Sequence, residues 1–504
     1  MNYKMIVNII GKIMVIMALL MLLPLAVSII YFEPSSASNP TPIDGVRNII
    51  AFAVPIVVLF VTGIILNKSF NKNNIGKIGV KEGIIIVSLT WILMSLFGAV
   101  PFMISGALPN FFDAFFEMSS GFTTTGASVI LDVEGLSHGI QFWRSFSHWV
   151  GGMGILVFIL AIIPESKEGS SMHILRAESP GPQVGKLVSK MKVTTRILYL
   201  IYFVFTIIEI LFLWLGPDEK MTFFNSVIYG IGTAGTGGFS IDATGLAEYT
   251  AYSQYVISIF MLLFGINFSI YYLLLIGNVK EIFKNEELKA YLIIIVVAVL
   301  CITFNILGRI EQCQTFEQSF RHALFQVASI ITTTGYASND FNYWPVFSHI
   351  VLICLMIFGG CAGSTAGGVK ISRIVILFKT FFRKVRQTIS PRKVEVIRVD
   401  GKVVDDNVVE GVQSFIVAYA IILFLCAFLI SIDNLTDASM ATYFTASLAC
   451  ISNVGPGLEV VGPFGSFAYF SNFSKLILSL EMIAGRLEIF PILVLFSRKT
   501  WSNR

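Results

Sequence analysis

The chain has 504 residues, of which 55% are hydrophobic and only 13% are charged, and its mean hydropathy is +0.79. A soluble domain cannot bury that much apolar surface, so the composition excludes a soluble protein and predicts a polytopic helical membrane protein. The net charge of +4 at pH 7 decides little by itself. The distribution of the charges along the chain is more informative.

Ten apolar segments approach the roughly 20 residues that a bilayer-spanning helix needs. They are residues 9–32, 49–66, 83–104, 140–163, 194–215, 252–276, 288–307, 347–378, 412–432 and 470–496. Among them, only the segment 347–378 is expected to be broken. The first segment resembles a signal peptide, but its apolar run is too long and lacks an obvious small-residue cleavage site. We therefore interpret it as a retained span.

Four shorter stretches, at residues 111–121, 223–232, 316–331 and 438–451, each lead into a glycine-bearing loop. The loops comprise Thr123, Thr124, Thr125 and Gly126; Ala234, Gly235, Thr236 and Gly237; Thr332, Thr333, Thr334 and Gly335; and Ser452, Asn453, Val454 and Gly455. One Thr-Gly pair is usually an ordinary turn. Four copies in matching context predict four re-entrant loops around one axis, where rings of backbone carbonyls can replace an ion's hydration shell.

The predicted fold is therefore an all-α membrane protein with four fused span–short helix–loop–span repeats in a pseudo-fourfold arrangement, plus two N-terminal spans. The expected divisions are residues 1–80 for the added spans and 81–193, 194–287, 288–402 and 403–504 for the repeats. No loop carries a full Gly-Tyr-Gly sequence. We therefore expect fewer carbonyl rings and poorer ion discrimination than in a dedicated potassium channel.

Lysine and arginine concentrate in linkers 67–81, 165–193, 277–289 and 379–402 and in the C-terminal tail. If the ten spans alternate, these linkers share one side, which the positive-inside rule makes cytoplasmic, together with both termini. The opposite side carries the glycine loops and the acids Asp132, Glu134, Asp242, Glu248, Asp340 and Glu459. These acids either concentrate cations at a pore mouth or are merely solvated loop charges.

The broken segment contains five glycines together with a lysine. The residues of interest are Gly359, Gly360, Gly363, Ser364, Thr365, Gly367, Gly368 and Lys370. Irregular backbone at membrane depth requires burial in protein or a water-filled path, so we interpret the segment as an intramembrane gate below the loops. The alternative is close helix packing through small residues. A phosphate-binding loop is excluded because Lys370 does not directly follow the last glycine and because the segment is embedded.

Arg486 lies within the final span, where a cationic side chain usually faces a cavity or a partner. Functionally it would place a positive barrier on an ion path; alternatively it pairs with Glu481 or Glu488 or reaches the cytoplasm. Arg144 and His148 are expected at the membrane interface. No enzyme signature is present, and the six cysteines imply no disulfide framework, with only Cys313 in an expected exposed loop.

These four loops, together with WVGGMG at residues 149–154, GGCAGSTAGG at 359–368 and AGRLE at 484–488, resemble the Trk/Ktr/HKT superfamily, and the TrkH-type members most closely. The resemblance implies a potassium-translocating pore in the bacterial inner membrane, a homodimer, and a cytosolic nucleotide-binding regulatory subunit of the TrkA type. It also implies that 359–368 is the gating loop and that Arg486 faces the pore. The chain is expected to bind K⁺ through backbone carbonyls as its substrate, and no cofactor or nucleic acid.

A coupled K⁺/H⁺ or K⁺/Na⁺ symporter that uses the same pore is the alternative function. Coupling usually requires protonatable groups at mid-membrane, and Glu209 is the only isolated carboxylate deep within a span. This scarcity favours a gated channel.

Overall fold

A computed structural model describes residues 3–32, 42–69, 79–152, 154, 191–392, 395–436 and 438–501. Linker 165–190 and most of linker 67–81 lie outside the described residues, as does the expected span 140–163 beyond Gly154. Within the described part, the only strands form a short antiparallel hairpin, Arg398–Val399 with Lys402–Val403. All other regular structure is helical.

The two N-terminal spans form a separate pair. Helices Tyr3–Leu20 and Leu22–Ile30 pack against Pro42–Ser69. Gly11 and Gly63 allow the close approach, since a Cβ on Gly11 would lie 2.8 Å from the carbonyl oxygen of Gly63. Small residues at such crossings are the usual means by which membrane helices pack tightly.

The rest of the chain repeats one order of elements. The outer helices are Val80–Ser105, Met191–Trp214, Glu286–Ile306 and Asp406–Ile430. The short helices are Phe111–Phe122, Phe223–Gly235, Phe316–Ile331 and Met440–Ile451. The inner helices begin with His138–Gly152, Ala251–Phe264, Val346–Phe358 and Asn472–Arg486 and continue, in the last three, as Phe268–Leu275, Ile371–Ile389 and Phe490–Phe496. The remaining helices of the described residues are Val279–Ile282 and Arg498–Trp501, together with four 3₁₀ turns (Phe341–Tyr343, Ser431–Asp433, Glu459–Val461, Phe467–Tyr469).

Local sequence determines where the short helices begin. Their N-caps are Asn110, Thr222, Thr315 and Ser439, whose side chains each accept a backbone N–H of the first turn. Such caps stabilise a helix by about 1 kcal/mol. At 12 to 16 residues, and ~1.5 Å per residue, these helices enter the membrane region without crossing it.

The repeats close into a ring. Each outer helix packs against the short helix of its own repeat, and each inner helix packs against the short helix of the next one. The fourth inner helix, Asn472–Arg486, completes the cycle by packing against the first short helix, Phe111–Phe122. The four glycine loops therefore converge on one region.

The inner helices are broken more widely than the sequence predicts. Segments 252–276 and 470–496 are expected to be continuous, but the first bends by 88° between Phe264 and Phe268. The last is interrupted at Glu488 and Ile489, whose φ angles are +55° and +67°. Among the described residues, six helices are long and apolar enough to span a membrane, or seven if the bent pair counts as one.

Candidate functional site

The four short helices end in the same backbone motif. The N–H groups of Thr124, Thr236, Thr333 and Asn453 donate to the carbonyl three residues earlier, and those of Thr125, Gly237, Thr334 and Val454 donate to the carbonyl five residues earlier. This is the Schellman pattern, which requires a left-handed residue at the helix end. That residue is usually glycine, but here it is threonine or asparagine, with φ between +52° and +58°.

This motif fixes which residues of the four loops are equivalent. Thr236 corresponds to Thr124, so Gly238, not Gly237, corresponds to Gly126, Gly335 and Gly455. The register predicted for the second loop is therefore wrong by one residue. Ala234 and Gly235 are the last residues of the short helix Phe223–Gly235, and the second loop proper consists of Gly235, Thr236, Gly237 and Gly238.

The four equivalent glycines form a closed ring. A Cβ on Gly126 would lie 2.6 Å from the nitrogen of Gly238, and a Cβ on Gly238 would lie 2.6 Å from the Thr334 carbonyl oxygen beside Gly335. A Cβ on Gly335 would meet the Val454 carbonyl, and one on Gly455 would lie 2.5 Å from the Thr125 carbonyl oxygen. Any other residue at these positions would therefore collide with the neighbouring loop.

Side chains brace three of the loops. The hydroxyl groups of Thr123 and Thr125 lie 2.8 Å apart, and those of Thr332 and Thr334 lie 2.7 Å apart. In the fourth loop, Asn453 Nδ2 donates to Thr125 Oγ1 at 3.0 Å. The second loop has glycine where the first and third have these threonines.

Arg144 and His148, predicted to lie at the membrane interface, are not exposed side chains. Both are buried directly behind the loops, because the inner helix His138–Gly152 packs against the second short helix. Arg144 Nε pairs with Glu117 at 2.9 Å. The Nδ1–H of His148 donates to the Gly121 carbonyl at 2.7 Å.

The glycine-rich segment is irregular between Phe358 and Ile371, so the alternative of tight helix packing is not what the structure adopts. Gly359, Gly363, Gly368 and Lys370 all have positive φ. The segment lies against the loops: the N–H of Gly367 donates to Thr333 Oγ1 at 2.6 Å, and that of Gly368 donates to the Ser452 carbonyl at 2.9 Å. The Lys370 ammonium group folds back onto the Ala366 carbonyl, and Ser364 donates to Cys361.

Two acidic residues from other parts of the chain bind this segment or the helix that follows it. Glu287 Oε1, at the start of an outer helix, accepts the N–H groups of Ala362 at 2.6 Å and Ser372 at 3.1 Å. Glu488 pairs with Arg373 just beyond the segment. A carboxylate that accepts several backbone N–H groups forms strong charge-assisted hydrogen bonds.

Arg486 links the glycine-rich segment to the first repeat. Its guanidinium group donates to the Thr365 carbonyl at 2.9 Å and to the carbonyls of Gly151 and Gly152 at 2.5 and 2.8 Å. Neither acid considered from the sequence is its salt-bridge partner, because Glu488 pairs with Arg373 and Glu481 accepts a hydrogen bond from Ser447. The arginine thus carries its charge at the junction of the glycine-rich segment and the first inner helix.

The acids on the side of the short-helix N-termini are mostly engaged in local hydrogen bonds. The Asp242 carboxylate accepts hydrogen bonds from the hydroxyl groups of Tyr229 and Tyr249. The Glu459 carboxylate accepts hydrogen bonds from the hydroxyl groups of Ser439 and Thr442. Partial burial raises the pKa of Glu459, but the hydrogen bonds from Thr442 and Ser439 outweigh it and hold the pKa below its ordinary value of 4.5. Cys313, expected in an exposed loop, is buried, and all six cysteines are free.

Glu209 is fully buried in the outer helix Met191–Trp214. Neither carboxylate oxygen has a hydrogen-bond partner among the described residues. The Thr233 hydroxyl lies beside the carboxylate but donates its proton to the Tyr229 carbonyl. A buried carboxyl group without a donor is costly to ionise.

Comparison with known proteins agrees with this architecture. The sequence matches the TrkH family, described as cation transport proteins, over residues 50–503. It is 32% identical to the Trk system potassium uptake protein TrkH of Salmonella typhimurium over 99% of this chain and 100% of that protein. It is 31% identical to the Trk system potassium uptake protein TrkG of Escherichia coli over 100% of this chain and 99% of that protein. The crystal structure of the potassium transporter TrkH from Vibrio parahaemolyticus matches with a TM-score of 0.84 at 29% identity, covering 100% of both chains.

The fold and the glycine ring thus define a polytopic helical membrane transport protein. The chain belongs to the TrkH family of cation transport proteins. The resemblance inferred from the motifs is confirmed, as are the predominantly helical membrane fold and the assignment to transport rather than enzymatic function.

Proposed function

We propose that this protein conducts K⁺ across the bacterial cytoplasmic membrane through the ring of four glycine loops. The observation that carries the proposal is the closed contact of Gly126, Gly238, Gly335 and Gly455, each against the next loop. Four backbone segments around one axis can replace the hydration shell of a cation with carbonyl oxygens. The relatives are named as potassium uptake proteins, which supports K⁺ as the substrate.

The glycine-rich segment is proposed as the gate of this pore. Two hydrogen bonds support this role: the N–H groups of Gly367 and Gly368 donate to Thr333 and Ser452 of the loops. These hydrogen bonds would have to break if the segment moved to open a path below the loops. Arg486 would contribute a positive barrier at the same level, in the manner expected of an intramembrane arginine.

We also propose that the protein works as a homodimer with a cytosolic nucleotide-binding subunit of the TrkA type, and that both termini are cytoplasmic. The relatives are named as members of a Trk system, which supports a multicomponent assembly. The basic linker 379–402 supports the orientation through the positive-inside rule.

Cation flux into liposomes that contain the purified chain tests the pore. K⁺ and Rb⁺ flux that follows the electrochemical gradient and exceeds Na⁺ flux is expected, and Gly335→Ser should reduce the preference for K⁺. Flux that ignores ion identity in the folded wild-type protein would contradict a selectivity filter.

A coupled symporter is the second candidate. It is favoured by the carboxyl group of Glu209, which has no hydrogen-bond partner in the described part of the chain. In that case K⁺ uptake would require a proton or sodium gradient, and Glu209→Gln would abolish the requirement. A matched control is Glu481→Gln, since Glu481 is equally buried but accepts a hydrogen bond from Ser447. Uptake driven by the K⁺ gradient alone, unchanged by Glu209→Gln, would leave the channel as the function.

A further inference from the structure

The residues next to the glycine ring include a buried ion pair, Glu117 with Arg144, and both partners belong to the first repeat. Glu117 lies seven residues before Thr124, the left-handed residue at the end of the first short helix. The equivalent residues of the other three short helices are Tyr229, Gln326 and Ala446, and all four are fully buried. Three of the four are uncharged. A short helix of this fold therefore packs without a buried charge, and Glu117 requires a separate explanation.

Glu117 connects three elements. Its carboxylate accepts the Ser128 hydroxyl at 3.0 Å, the Val129 N–H at 3.0 Å and Arg144 Nε at 2.9 Å. Ser128 and Val129 follow Gly126 closely in the chain. The carboxylate therefore holds both the chain that leaves the first loop and the guanidinium group of Arg144.

Arg144 extends this support to the second loop. Its Nη1 donates to the Ser240 carbonyl at 3.3 Å, and its guanidinium carbon lies 4.2 Å from the centre of the Phe239 ring. Phe239 and Ser240 directly follow Gly238. The Glu117–Arg144 pair thus joins the segments that follow two neighbouring members of the ring.

The second loop needs an external support because it lacks an internal one. The first and third loops are braced by hydroxyl pairs, whereas the second has Gly235 and Gly237 at those positions. The His148 ring fills the space beside Gly237, where a Cβ would collide with it. Arg144 and His148 of the first repeat therefore support the second loop, as the paired threonine side chains support the first and third loops.

We propose that Arg144, oriented by Glu117, is the positioning residue of the second glycine loop and thereby sets the ion preference of the ring. The proposal rests on the ring's proposed function as a K⁺ filter. Both partners are almost fully buried, with side-chain exposures of 3% and 0%, so neither charge is satisfied by water if the other is removed. The guanidinium group is needed because an ammonium group would lose its planar set of donors.

The test compares reversal potentials under K⁺/Na⁺ bi-ionic conditions in liposomes, with size-exclusion profile and melting temperature as measures of folding. Glu117→Gln and Arg144→Lys should each reduce the K⁺/Na⁺ preference about tenfold, which corresponds to ~1.4 kcal/mol of discrimination. Asp113→Asn is the matched control: Asp113 lies on the same short helix and pairs with Lys475 at 2.6 Å. This variant should keep the wild-type preference.

The double variant Glu117→Gln/Arg144→Met separates positioning from folding. Replacing a buried pair by neutral groups of similar volume often restores stability, but methionine cannot donate to Ser240. We therefore expect a folded protein with reduced ion preference. A folded double variant with the wild-type K⁺/Na⁺ preference would overturn the inference while leaving the filter intact. A wild-type protein without K⁺ preference would instead overturn the proposed function, and this inference with it.

Discussion

At the scale of single residues, the loops store backbone strain in a repeated place. Thr124, Thr236, Thr333 and Asn453 have left-handed conformations that cost of order 1–3 kcal/mol each outside glycine. Two of these side chains have partners that glycine could not provide, since Thr333 accepts the Gly367 N–H and Asn453 donates to Thr125 and Met482. In the third and fourth loops, the strained residue thus has a side chain that links the loop to another part of the molecule.

The ring glycines lead to the first prediction. Gly238→Ala should reduce K⁺ flux at least about tenfold, because the added methyl group would lie 2.6 Å from the Thr334 carbonyl oxygen and must displace the third loop. Flux into liposomes measures the effect. Gly411→Ala is the control, since that helical glycine has open space around it and alanine favours a helix. Equal flux in the two folded variants would contradict the ring register.

The second loop also shows why the sequence gives the register of the other three loops correctly but misses that of this loop by one residue. In the first, third and fourth loops, the glycine directly follows three residues with short side chains. The second loop has glycine at 235, 237 and 238, so either Gly237 or Gly238 could be the equivalent of the glycine in the other loops. The hydrogen bonds of the helix end decide between them. The burial of Arg144 and His148 was missed for a related reason, because the periodicity of one helix does not show that its polar face packs against another repeat.

At the scale of elements, one side chain binds both the glycine-rich segment and the start of the helix that follows it. Glu287 accepts the N–H groups of Ala362 and Ser372, and a hydrogen bond to a charged group contributes about 1.5–3 kcal/mol. If the segment is a gate, Glu287→Ala should favour its open state and raise basal K⁺ flux about tenfold in the absence of any regulatory subunit.

Glu286→Ala is the control for that prediction. Glu286 is adjacent in the chain but pairs with Lys379 at the surface, with side-chain exposures near one third for both partners. Such pairs contribute at most about 1 kcal/mol, so basal flux should stay near the wild-type value. A folded Glu287→Ala protein with wild-type basal flux would show that this fastening does not control a gate.

The breaks in the inner helices mark the limit of prediction at this scale. The break at 359–370 was predictable because five glycines interrupt the apolar run. The break between Phe264 and Phe268 has a single glycine, and its geometry depends on tertiary contacts: the Gly265 carbonyl accepts the Cys361 N–H, and the Phe268 N–H donates to Gly363. Cys361 and Gly363 belong to the third repeat, so the sequence around the break in the second repeat does not reveal these contacts.

At the scale of the whole molecule, contacts between residues far apart in the chain join the repeats at the N-terminal ends of the short helices, which are the ends opposite the glycine loops. Lys475 and Asp113 join the fourth repeat to the first at 2.6 Å. Asn342 of the third repeat accepts the Glu459 N–H at 2.8 Å, and the Glu459 carboxylate caps the fourth short helix through Ser439. Glu459 therefore joins the third and fourth repeats through its backbone N–H and supports the N-cap of the fourth short helix through its carboxylate.

The dependence on Glu459 predicts an acid sensitivity. Its folded-state pKa is held below 4.5 by the hydrogen bonds from Thr442 and Ser439, which outweigh the opposing effect of partial burial. The carboxylate therefore contributes stability above the unfolded-state pKa, and this contribution is lost as the pH falls through the folded-state pKa. In detergent, Glu459→Gln should lower the melting temperature at pH 7, and the difference from wild type should shrink as the pH falls below 4.5. Glu248→Gln is the control, because Glu248 pairs with Lys220 on the exposed surface and should leave both values nearly unchanged. A Glu459→Gln difference that persists undiminished at low pH would mean that packing of the side chain, rather than its charge, stabilises the N-terminal end of the fourth short helix.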